Sequence, residues 1–451
     1  MNIAFLFTKL NFFHFYGPII SECMRRGYKI SLWFNNKEKD KENYLTIPFI
    51  KNNLKKLSIE IFDFEIELKS KINNNKFDYF LSFEPVTFEI DETIRKKIDG
   101  KWCMICHIPD TYALIWYWDV YKSFSKLNQN YKRYFFGFTE HLHNHFIDLI
   151  KKNREIGLRE NEIFFESKLT TKKFYGFNLL DNKILNQETK VREKYNFKNK
   201  KILIYLPFPF SIKKNAYLDV DYSWEAAYSG IFNGFNNYRS KNIYRLPLDF
   251  LKFLIFQTRL LIKILMNAEA RYFYMNGLNE ISLVKSIKEF CKKNDYLLVV
   301  KSRKKFPVPE YIQEIADNYI EEDTNQFYPD QLQELLSVSN LVVGYYTSAV
   351  FEVVGSKSFY VNIECPHSFF GNYFPRISRH STESGSRYNS PGVTKSYKII
   401  DIIENFNKFT DDIFATDKAE YSKYKEKYLG NNFLSSNSLM CDFLEENLYN
   451  K

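Results

Sequence analysis

The chain has 451 residues, of which 45% are hydrophobic, so it is too long for one ordinary core and predicts two domains of about 200 residues each. Its net charge of +10 allows nucleic acid, anionic lipid or an anionic substrate as a partner, and no nucleic-acid motif supports the first. No apolar run reaches the ~18 residues of a transmembrane helix, and the apolar start lacks the basic leader of a signal peptide.

The first half predicts strands separated by helices. Met1–Phe7 is a strand, Phe12–Arg26 is a helix that Gly27 ends, and Lys29–Phe34 is a second strand. Further short apolar runs predict strands at 77–83, 102–107, 133–139 and 162–165. Strands that alternate with helices form right-handed βαβ units, so we expect a doubly wound parallel sheet.

Two motifs in this half suggest metal or redox chemistry. Cys103 and Cys106 have C-x-x-C spacing, but they lie in a predicted strand, and no second pair completes a zinc site. His141-Leu-His-Asn-His145 places only its outer histidines on one helical face, and no third ligand is near in sequence. We therefore expect no metal site, and reduced cysteines in a cytoplasmic protein.

A domain boundary is predicted near residue 195. The segment Phe174–Asp181 and a polar helical stretch at 182–199 precede Lys200–Pro207, which begins a new strand pattern. We therefore predict domains at 1–195 and 196–420. Residues 421–451 form a charged, amphipathic helical tail that we expect to pack back on the first domain.

The second half repeats the α/β pattern. Strands are predicted at 296–300, 341–343 and 358–363, and helices at 329–339 and 349–355. The fold class is therefore α/β, with two Rossmann-like doubly wound domains.

The turn after the strand at 341–343 is the most informative segment. Gly344 permits a sharp exit from the strand, and Thr347 and Ser348 stand where the next helix begins. Hydroxyls and backbone N–H groups at such a point suit a phosphate. The alternative is an ordinary helix cap.

Lys301 and Arg303 follow the strand at 296–300, at the sheet edge where open α/β folds bind ligands. Two cations spaced by one residue suit a diphosphate, or a phosphate together with a carboxylate. The alternative is a solvated basic loop, because four cations stand within five residues here.

Three segments resemble GT-B glycosyltransferases. Phe174–Asp181 resembles the G-N-P-L-L-D element that ends the N-terminal domain in several bacterial families, although Phe177 intrudes and Pro is absent. Lys201–Pro207 resembles the strand and loop that open the donor domain. Residues 340–361 resemble the donor-phosphate segment of enzymes that use CMP- or CDP-activated donors. These include Kdo- and sialic acid-type transferases and CDP-glycerol glycerophosphotransferases, the last with Asp in place of Gly344.

The resemblance implies two domains that face a cleft, with the nucleotide donor on the second and the acceptor and catalytic base on the first. It implies no metal and no cofactor apart from the nucleotide-sugar substrate. Donor binding then falls to Lys301, Arg303, Thr347 and Ser348, with Glu352 on ribose or sugar hydroxyls; the alternative for Glu352 is a carboxylate on the helix surface.

Asp221 and Glu225, in the loop that opens the second domain, are candidate contacts to the sugar. The alternative is that they are ordinary polar residues of a loop.

The base that takes the acceptor proton must be a carboxylate or an imidazole in the first domain. The candidates at strand ends are Glu84, His107, Asp110 and Glu140, and His14 lies in the loop and helix after the first strand. Each also has the commoner explanation of a polar group that ends a strand.

We therefore predict a metal-independent glycosyltransferase that moves a CMP-activated acidic sugar to a hydroxyl of a bacterial surface glycan, either lipopolysaccharide or capsule. The alternatives are a CDP-polyol phosphotransferase, an inactive GT-B-like glycan-binding protein and a sugar-nucleotide 2-epimerase.

The segment Arg245–Met266 is apolar on almost every helical face and carries Lys252, Arg259 and Lys263. It predicts a helix that lies on an anionic membrane surface, which would make the protein cytoplasmic and peripheral at the inner membrane. The alternative is a core helix of the donor domain with a basic edge.

Overall fold

The computed structural model describes residues 1–36, 44–83, 90–106, 130–152, 164–180, 182–197, 199–207, 244, 246–266, 280–302, 308, 310–321, 326–345, 347–364 and 384–449. The chain forms two compact units. The first combines Met1–Glu188, Thr324–Ser337 and Ser422–Lys451, and the second combines Thr189–Asp323 and Val338–Tyr421. Thr324–Ser337 therefore belongs to the first unit, although the sequence pattern grouped it with the second.

The first unit contains a seven-stranded parallel sheet in the order β3-β2-β1-β4-β5-β6-β7. The order reverses between β1 and β4, which is the switch point of a doubly wound sheet. Its strands are β1 (Asn2–Phe7), β2 (Lys29–Asn35), β3 (Leu57–Phe62), β4 (Tyr79–Ser82), β5 (Trp102–Ile105), β6 (Arg133–Gly137) and β7 (Thr170–Phe174).

The second unit contains a six-stranded parallel sheet in the order β10-β9-β8-β11-β12-β13, with its switch point between β8 and β11. Its strands are β8 (Lys201–Leu206), β9 (Tyr296–Ser302), β10 (Asn318–Glu321), β11 (Leu341–Gly344), β12 (Phe359–Glu364) and β13 (Thr394–Lys398). Both sheets confirm the predicted α/β class.

Helices connect the strands and cover the sheets. In chain order they are α1 (Phe13–Arg25), α2 (Pro48–Asn52), α3 (Phe64–Asn74), α4 (Glu92–Ile98), α5 (Glu140–Lys152), α6 (Asn182–Leu185), α7 (Glu188–Lys194), α8 (Leu246–Met266), α9 (Glu280–Lys293), α10 (Glu310–Gln313), α11 (Gln331–Leu336), α12 (Ala349–Gly355), α13 (Ile399–Asn405), α14 (Lys418–Tyr424) and α15 (Ser436–Tyr449).

The first core joins the two ends of the chain. α15 packs on α1, where the buried Sγ atoms of Cys23 and Cys441 lie 3.6 Å apart. The hydroxyl of Tyr79 on β4 donates to the Leu444 carbonyl at 2.9 Å. At the edge of this contact, the Arg26 guanidinium lies 2.7 Å from the Asp442 carboxylate. The C-terminal helix thus completes the core of the first unit.

The strand predicted at 162–165 is wrong over its described part, residues 164 and 165. Phe164–Glu166 forms a single 3-10 turn, and the strand that follows is β7, Thr170–Phe174. Within β7 only Thr170 is buried, because β7 lies at the edge of the sheet and β6 is its one partner among the described strands. The apolar run at 164–165 instead supplies Phe165, whose ring packs beside that of Phe135.

Candidate functional site

The candidate site lies at the carboxyl edge of the second sheet, where the neighbouring strands β8 and β11 end. Leu206 and Gly344 are register partners there, at the reversal of strand order. Ligands of open α/β sheets bind outside the carboxyl ends of strands at such a point. A methyl group added to Gly344 would lie 3.0 Å from the Tyr360 hydroxyl and 3.2 Å from Leu206 Cβ. Glycine therefore lets the chain leave β11 against its two neighbouring strands.

Hydrogen bonds fasten the turn that follows β11. The Tyr360 hydroxyl donates to the Tyr345 carbonyl at 2.6 Å, and the Tyr388 hydroxyl donates to the Thr347 carbonyl at 3.1 Å. Ser396 Oγ in turn donates to the Tyr388 carbonyl at 3.1 Å. Two tyrosines thus hold the backbone of the turn, and one of them is itself held by β13.

The hydroxyls of Thr347 and Ser348 differ in burial and in hydrogen bonding. Thr347 is half-buried, and its Oγ1 accepts from the Ala349 N–H at 3.3 Å. Ser348 is exposed at the N-cap position, but its side chain makes no capping hydrogen bond. Helix α12, which begins at Ala349, has only seven residues and therefore contributes a weak dipole. The hydroxyls are thus the main groups that the turn can offer to an anion.

Lys301 lies within β9 and not after it, because the strand continues to Ser302. Its exposed fraction is 8%, which argues against the solvated basic loop at this position. Side chains alternate along a strand, so Lys301 shares the sheet face of Val299. The register through β8 and β11 makes this the face of Tyr360, whose hydroxyl holds the turn.

Lys301 also lies close to the carboxyl end of its strand, which ends at Ser302. The pairing register places Lys301 at the level of Leu206 and Gly344. β9 and β11 are separated only by β8, so their backbones lie about 10 Å apart, which is two strand spacings. A lysine side chain spans much of that distance. Lys301 and the turn therefore lie at the same edge of the sheet, two strands apart.

Glu352 is the acidic residue in the first turn of α12, and only 5% of it is exposed. The alternative of a carboxylate on the helix surface is therefore excluded. Glu352 therefore lies in the interior, one helical turn after Ser348.

The first sheet carries His14 after its own switch-point strand. β1 ends at Phe7, and His14 is the second residue of α1. Its Nδ1 lies 3.1 Å from Asp330 Oδ2 and 3.4 Å from the Phe327 carbonyl oxygen. Both side chains are partly buried, at 18% and 17% exposed.

The two partners of Nδ1 determine the proton position. A carbonyl and a carboxylate only accept hydrogen bonds, so the neutral ring carries its proton on Nδ1 and its lone pair on Nε2. Nε2 is then the ring nitrogen that is able to accept a proton.

The segment that carries Asp330 packs against other parts of the first unit and is hydrogen-bonded to them. Tyr328 is buried against α1, and its ring packs against Phe49 at 5.6 Å between centroids. The buried Gln333 donates from Nε2 to the Leu179 carbonyl at 2.9 Å. Asp330 caps α11, with its Oδ1 accepting from the Gln333 N–H at 2.7 Å. The sequence signal of this cap, Asp-x-x-Gln, was missed.

Gly17 is the point on α1 that receives Tyr328. A methyl group there would lie 2.3 Å from Tyr328 Cγ, so Gly17→Ala should cost about 1–3 kcal/mol of unfolding free energy through overpacking. Thermal or urea unfolding measures the loss. Combination with Tyr328→Ala should remove the clash, so the double variant should be more stable than the sum of the two single losses predicts. If the free-energy losses of the two single variants simply added in the double variant, the proposed clash between the methyl group added at Gly17 and Tyr328 would be refuted.

Helix α5 carries three histidines, of which one is buried and two are exposed. His143 is 2% exposed, its ring lies beside Phe165 and Phe174, and burial lowers its pKa to about 4. His141 and His145 are exposed, as is Glu140, the first residue of the helix. His143 is therefore a neutral core residue.

Several predicted site residues lie outside the described residues. In the first unit these are Glu84, His107 and Asp110, and in the second they are Asp221, Glu225 and Arg303. The described strands β4 and β5 lead toward the first group, because they end at Ser82 and Ile105.

Comparison with known proteins identifies the fold. No family model matches this sequence, and no curated protein sequence matches it. Among solved structures, a variant of the wall teichoic acid polymerase TagF soaked with CDPG matches at TM-score 0.50 and 11% identity, covering 100% of this chain and 89% of that one. The fold is GT-B. At this identity the match shows the fold alone.

Two further matches have lower structural similarity. UDP-GlcNAc 2-epimerase from Neisseria meningitidis, bound to UDP-GlcNAc, has TM-score 0.47 and 14% identity and covers 99% of this chain and 100% of that chain. MnaA from S. aureus with UDP has TM-score 0.43 and 10% identity, covering 99% and 97%.

Proposed function

We propose that this chain is a metal-independent transferase that moves a CMP-activated acidic sugar to a hydroxyl of a bacterial surface glycan. One observation carries the proposal: the fastened turn with Thr347 and Ser348 leaves β11 at the switch point, and the buried Lys301 shares its sheet face. A CMP-linked acidic sugar carries one phosphate and one carboxylate. Two hydroxyls, Lys301 and Arg303 match those two anions.

The proposed reaction assigns a role to each unit. The acceptor hydroxyl attacks the anomeric carbon, the bond from that carbon to the phosphate oxygen breaks, and CMP leaves with the electron pair. The turn and Lys301 on the second unit stabilise the growing charge on the phosphate. On the first unit, His14 Nε2 takes the proton of the hydroxyl. Glu352, Asp221 and Glu225 are assigned to donor hydroxyls.

His14 is preferred as the base over Glu84, His107, Asp110 and Glu140. The reason is its geometry: Nδ1 has two acceptors, which directs the lone pair of the ring to Nε2. Glu140 is exposed at the start of α5, and the other three lie outside the described residues.

A CDP-polyol phosphotransferase is the second candidate. The TagF crystal that matches this fold was soaked with CDPG, and Thr347-Ser348-x-x-Phe351-Glu352 resembles the phosphate segment of such enzymes. This reaction breaks a phosphoanhydride bond and leaves phosphorus in the product, whereas glycosyl transfer leaves none. Phosphorus analysis of the product therefore separates the two candidates.

A thermal-shift panel of CMP, CDP, UDP and GDP tests the proposal most directly. A nucleotide at a hundred times its dissociation constant adds about 2.7 kcal/mol of stability. We expect CMP to stabilise the protein more than the uridine and guanosine nucleotides do. A shift with UDP alone would favour the epimerase alternative, and no shift with any nucleotide, together with retained glycan binding, would favour the inactive glycan-binding protein.

We further propose that α8 lies on an anionic membrane surface, which makes the protein peripheral at the inner membrane. Among the described parts of the chain, no helix is long and apolar enough to cross a bilayer. Phe250, Leu251, Leu254 and Ile255 of α8 are between 40% and 55% exposed. Lys252 lies among them, and the side chains of Phe253, Phe256, Arg259 and Lys263 and all of Arg245 lie outside the described residues.

Vesicle sedimentation tests this surface. We expect the protein to sediment with vesicles rich in anionic lipid at low salt, and Leu251→Asp with Leu254→Asp to weaken binding at least tenfold, because charged residues leave the acyl boundary. Ile66→Asp on α3 is the matched control, since Ile66 is 76% exposed in the first unit. A protein that ignores these vesicles, or equal losses in both variants, would contradict the proposal.

A further inference from the structure

We propose that Asp330 is a positioning residue that fixes the tautomer of His14 and holds its Nε2 ready to accept a proton. The inference rests on the proposed function, in which His14 is the base. It concerns a residue from the segment Thr324–Ser337, which belongs to the first unit although it lies between the two stretches of chain that form the second unit.

The contacts of the His14 ring support this role. Asp330 Oδ2 is 3.1 Å from Nδ1, and the Phe327 carbonyl is 3.4 Å from the same nitrogen. Both accept the Nδ1 proton, so the alternative tautomer, with its proton on Nε2, would leave a lone pair facing two acceptors. A nucleophile or base that is oriented by a third group in this way is a recurrent catalytic arrangement.

The carboxylate also stabilises the product of proton transfer. When Nε2 accepts the hydroxyl proton, the ring becomes an imidazolium, and its positive charge then lies beside the charged Asp330 oxygen. Attraction between opposite charges is strong in a partly buried environment. Asp330 thus favours both the correct starting tautomer and the charged product.

Asp330 is held rigidly enough to do this. Its own segment is anchored by Tyr328 over Gly17 and by Gln333 on the Leu179 carbonyl. Its two oxygens have separate tasks, because Oδ1 accepts from the Gln333 N–H and Oδ2 faces His14. This division permits a substitution that separates the helix cap from the histidine contact.

Asp330→Asn is that substitution. Asn caps helices about as well as Asp, so the amide oxygen keeps the bond from Gln333 and α11 survives. The amide nitrogen then replaces Oδ2 and offers a proton to His14 Nδ1. This should move the ring proton to Nε2, where it blocks proton acceptance. We expect kcat to fall at least about 100-fold, a loss typical of a disabled general base, with KM for the donor unchanged.

Two measurements test the inference: kinetics, and nitrogen-15 NMR of histidine-labelled protein at a pH where the ring is neutral. The chain has seven histidines, and the signals missing from His14→Gln identify those of His14. We expect a protonated Nδ1 in the wild type and a protonated Nε2 in Asp330→Asn. Asp91→Asn is the matched control, because Asp91 caps α4 through the Ile94 N–H at 2.9 Å.

The outcomes distinguish the inference from the proposed function. An unchanged kcat and tautomer in Asp330→Asn, with His14→Gln inactive, would overturn the role of Asp330 and leave the proposed function intact. A wild-type protein that transfers no group from any nucleotide donor would overturn the proposed function. In that case the NMR signals of His14 alone test the orienting role of Asp330. The wild-type tautomer in Asp330→Asn would refute this role, and a ring proton on Nε2 in that variant would support it.

Discussion

Replacing His14 with glutamine should lower kcat by about 100- to 10,000-fold, the usual contribution of a general base, while nucleotide affinity stays unchanged. Glutamine preserves polarity and approximate size but cannot accept the hydroxyl proton. His14 lies in the first turn of α1, with its Nδ1 oriented by Asp330 and Phe327. Steady-state kinetics with a cytidine-linked donor, together with nucleotide titration by calorimetry, measures both quantities.

His145→Gln is the control for this substitution, since His145 is exposed on α5. It should retain wild-type kcat. Wild-type kcat in His14→Gln as well would transfer the role of base to another first-unit candidate, with Glu84, His107 and Asp110 the next to be replaced.

Replacing Thr347 with valine and Ser348 with alanine together should abolish most donor affinity while the fold survives. A hydrogen bond from a hydroxyl to a charged phosphate contributes about 1.5–3 kcal/mol, so each lost bond weakens binding roughly 10- to 150-fold. The turn itself should remain in place, because two tyrosine hydroxyls hold the carbonyls of Tyr345 and Thr347, and the substitutions remove only the 3.3 Å bond from the Ala349 N–H to Thr347 Oγ1. Calorimetric titration with CMP measures the loss.

The matched control for the double variant is Ser356→Ala, which removes a hydroxyl at the other end of α12. Ser356 Oγ donates to the Val353 carbonyl at 2.7 Å, so the change affects the same helix without touching the turn. Wild-type CMP affinity in a well-folded Thr347→Val, Ser348→Ala protein would show that these two hydroxyls do not bind the donor.

The interior of both sheets could be predicted from the sequence, whereas their edges could not. All four strands that sequence reasoning missed are edge strands: β3, β7, β10 and β13. A strand between two neighbours, such as β11, is buried at every position and appears as an apolar run. Edge strands such as β10, Asn318–Glu321, are half-exposed and polar, so their sequences resemble loops.

In the candidate site, features set by neighbouring residues could be predicted, whereas contacts between residues far apart in sequence could not. The turn at Thr347 and Ser348 was predictable because a buried strand, a glycine and a helix follow one another directly. Lys301 was predicted one position beyond its strand, since the pattern ended β9 at Val300 and pairing with β10 extends it to Ser302. Asp330 was not predicted as a partner of His14, because only tertiary folding brings such distant residues together.

The division of the first unit among three stretches of chain has a consequence for its synthesis. Domains generally fold as the chain emerges from the ribosome, beginning at the N-terminus. Here α15, which supplies buried Cys441 and Leu444 to the first core, emerges only after both stretches of the second unit. The N-terminal sheet therefore cannot complete its core until α15 has been synthesised, and its apolar face needs protection from aggregation until then. A ribosome stalled near residue 430 should display this sheet with an uncovered apolar face.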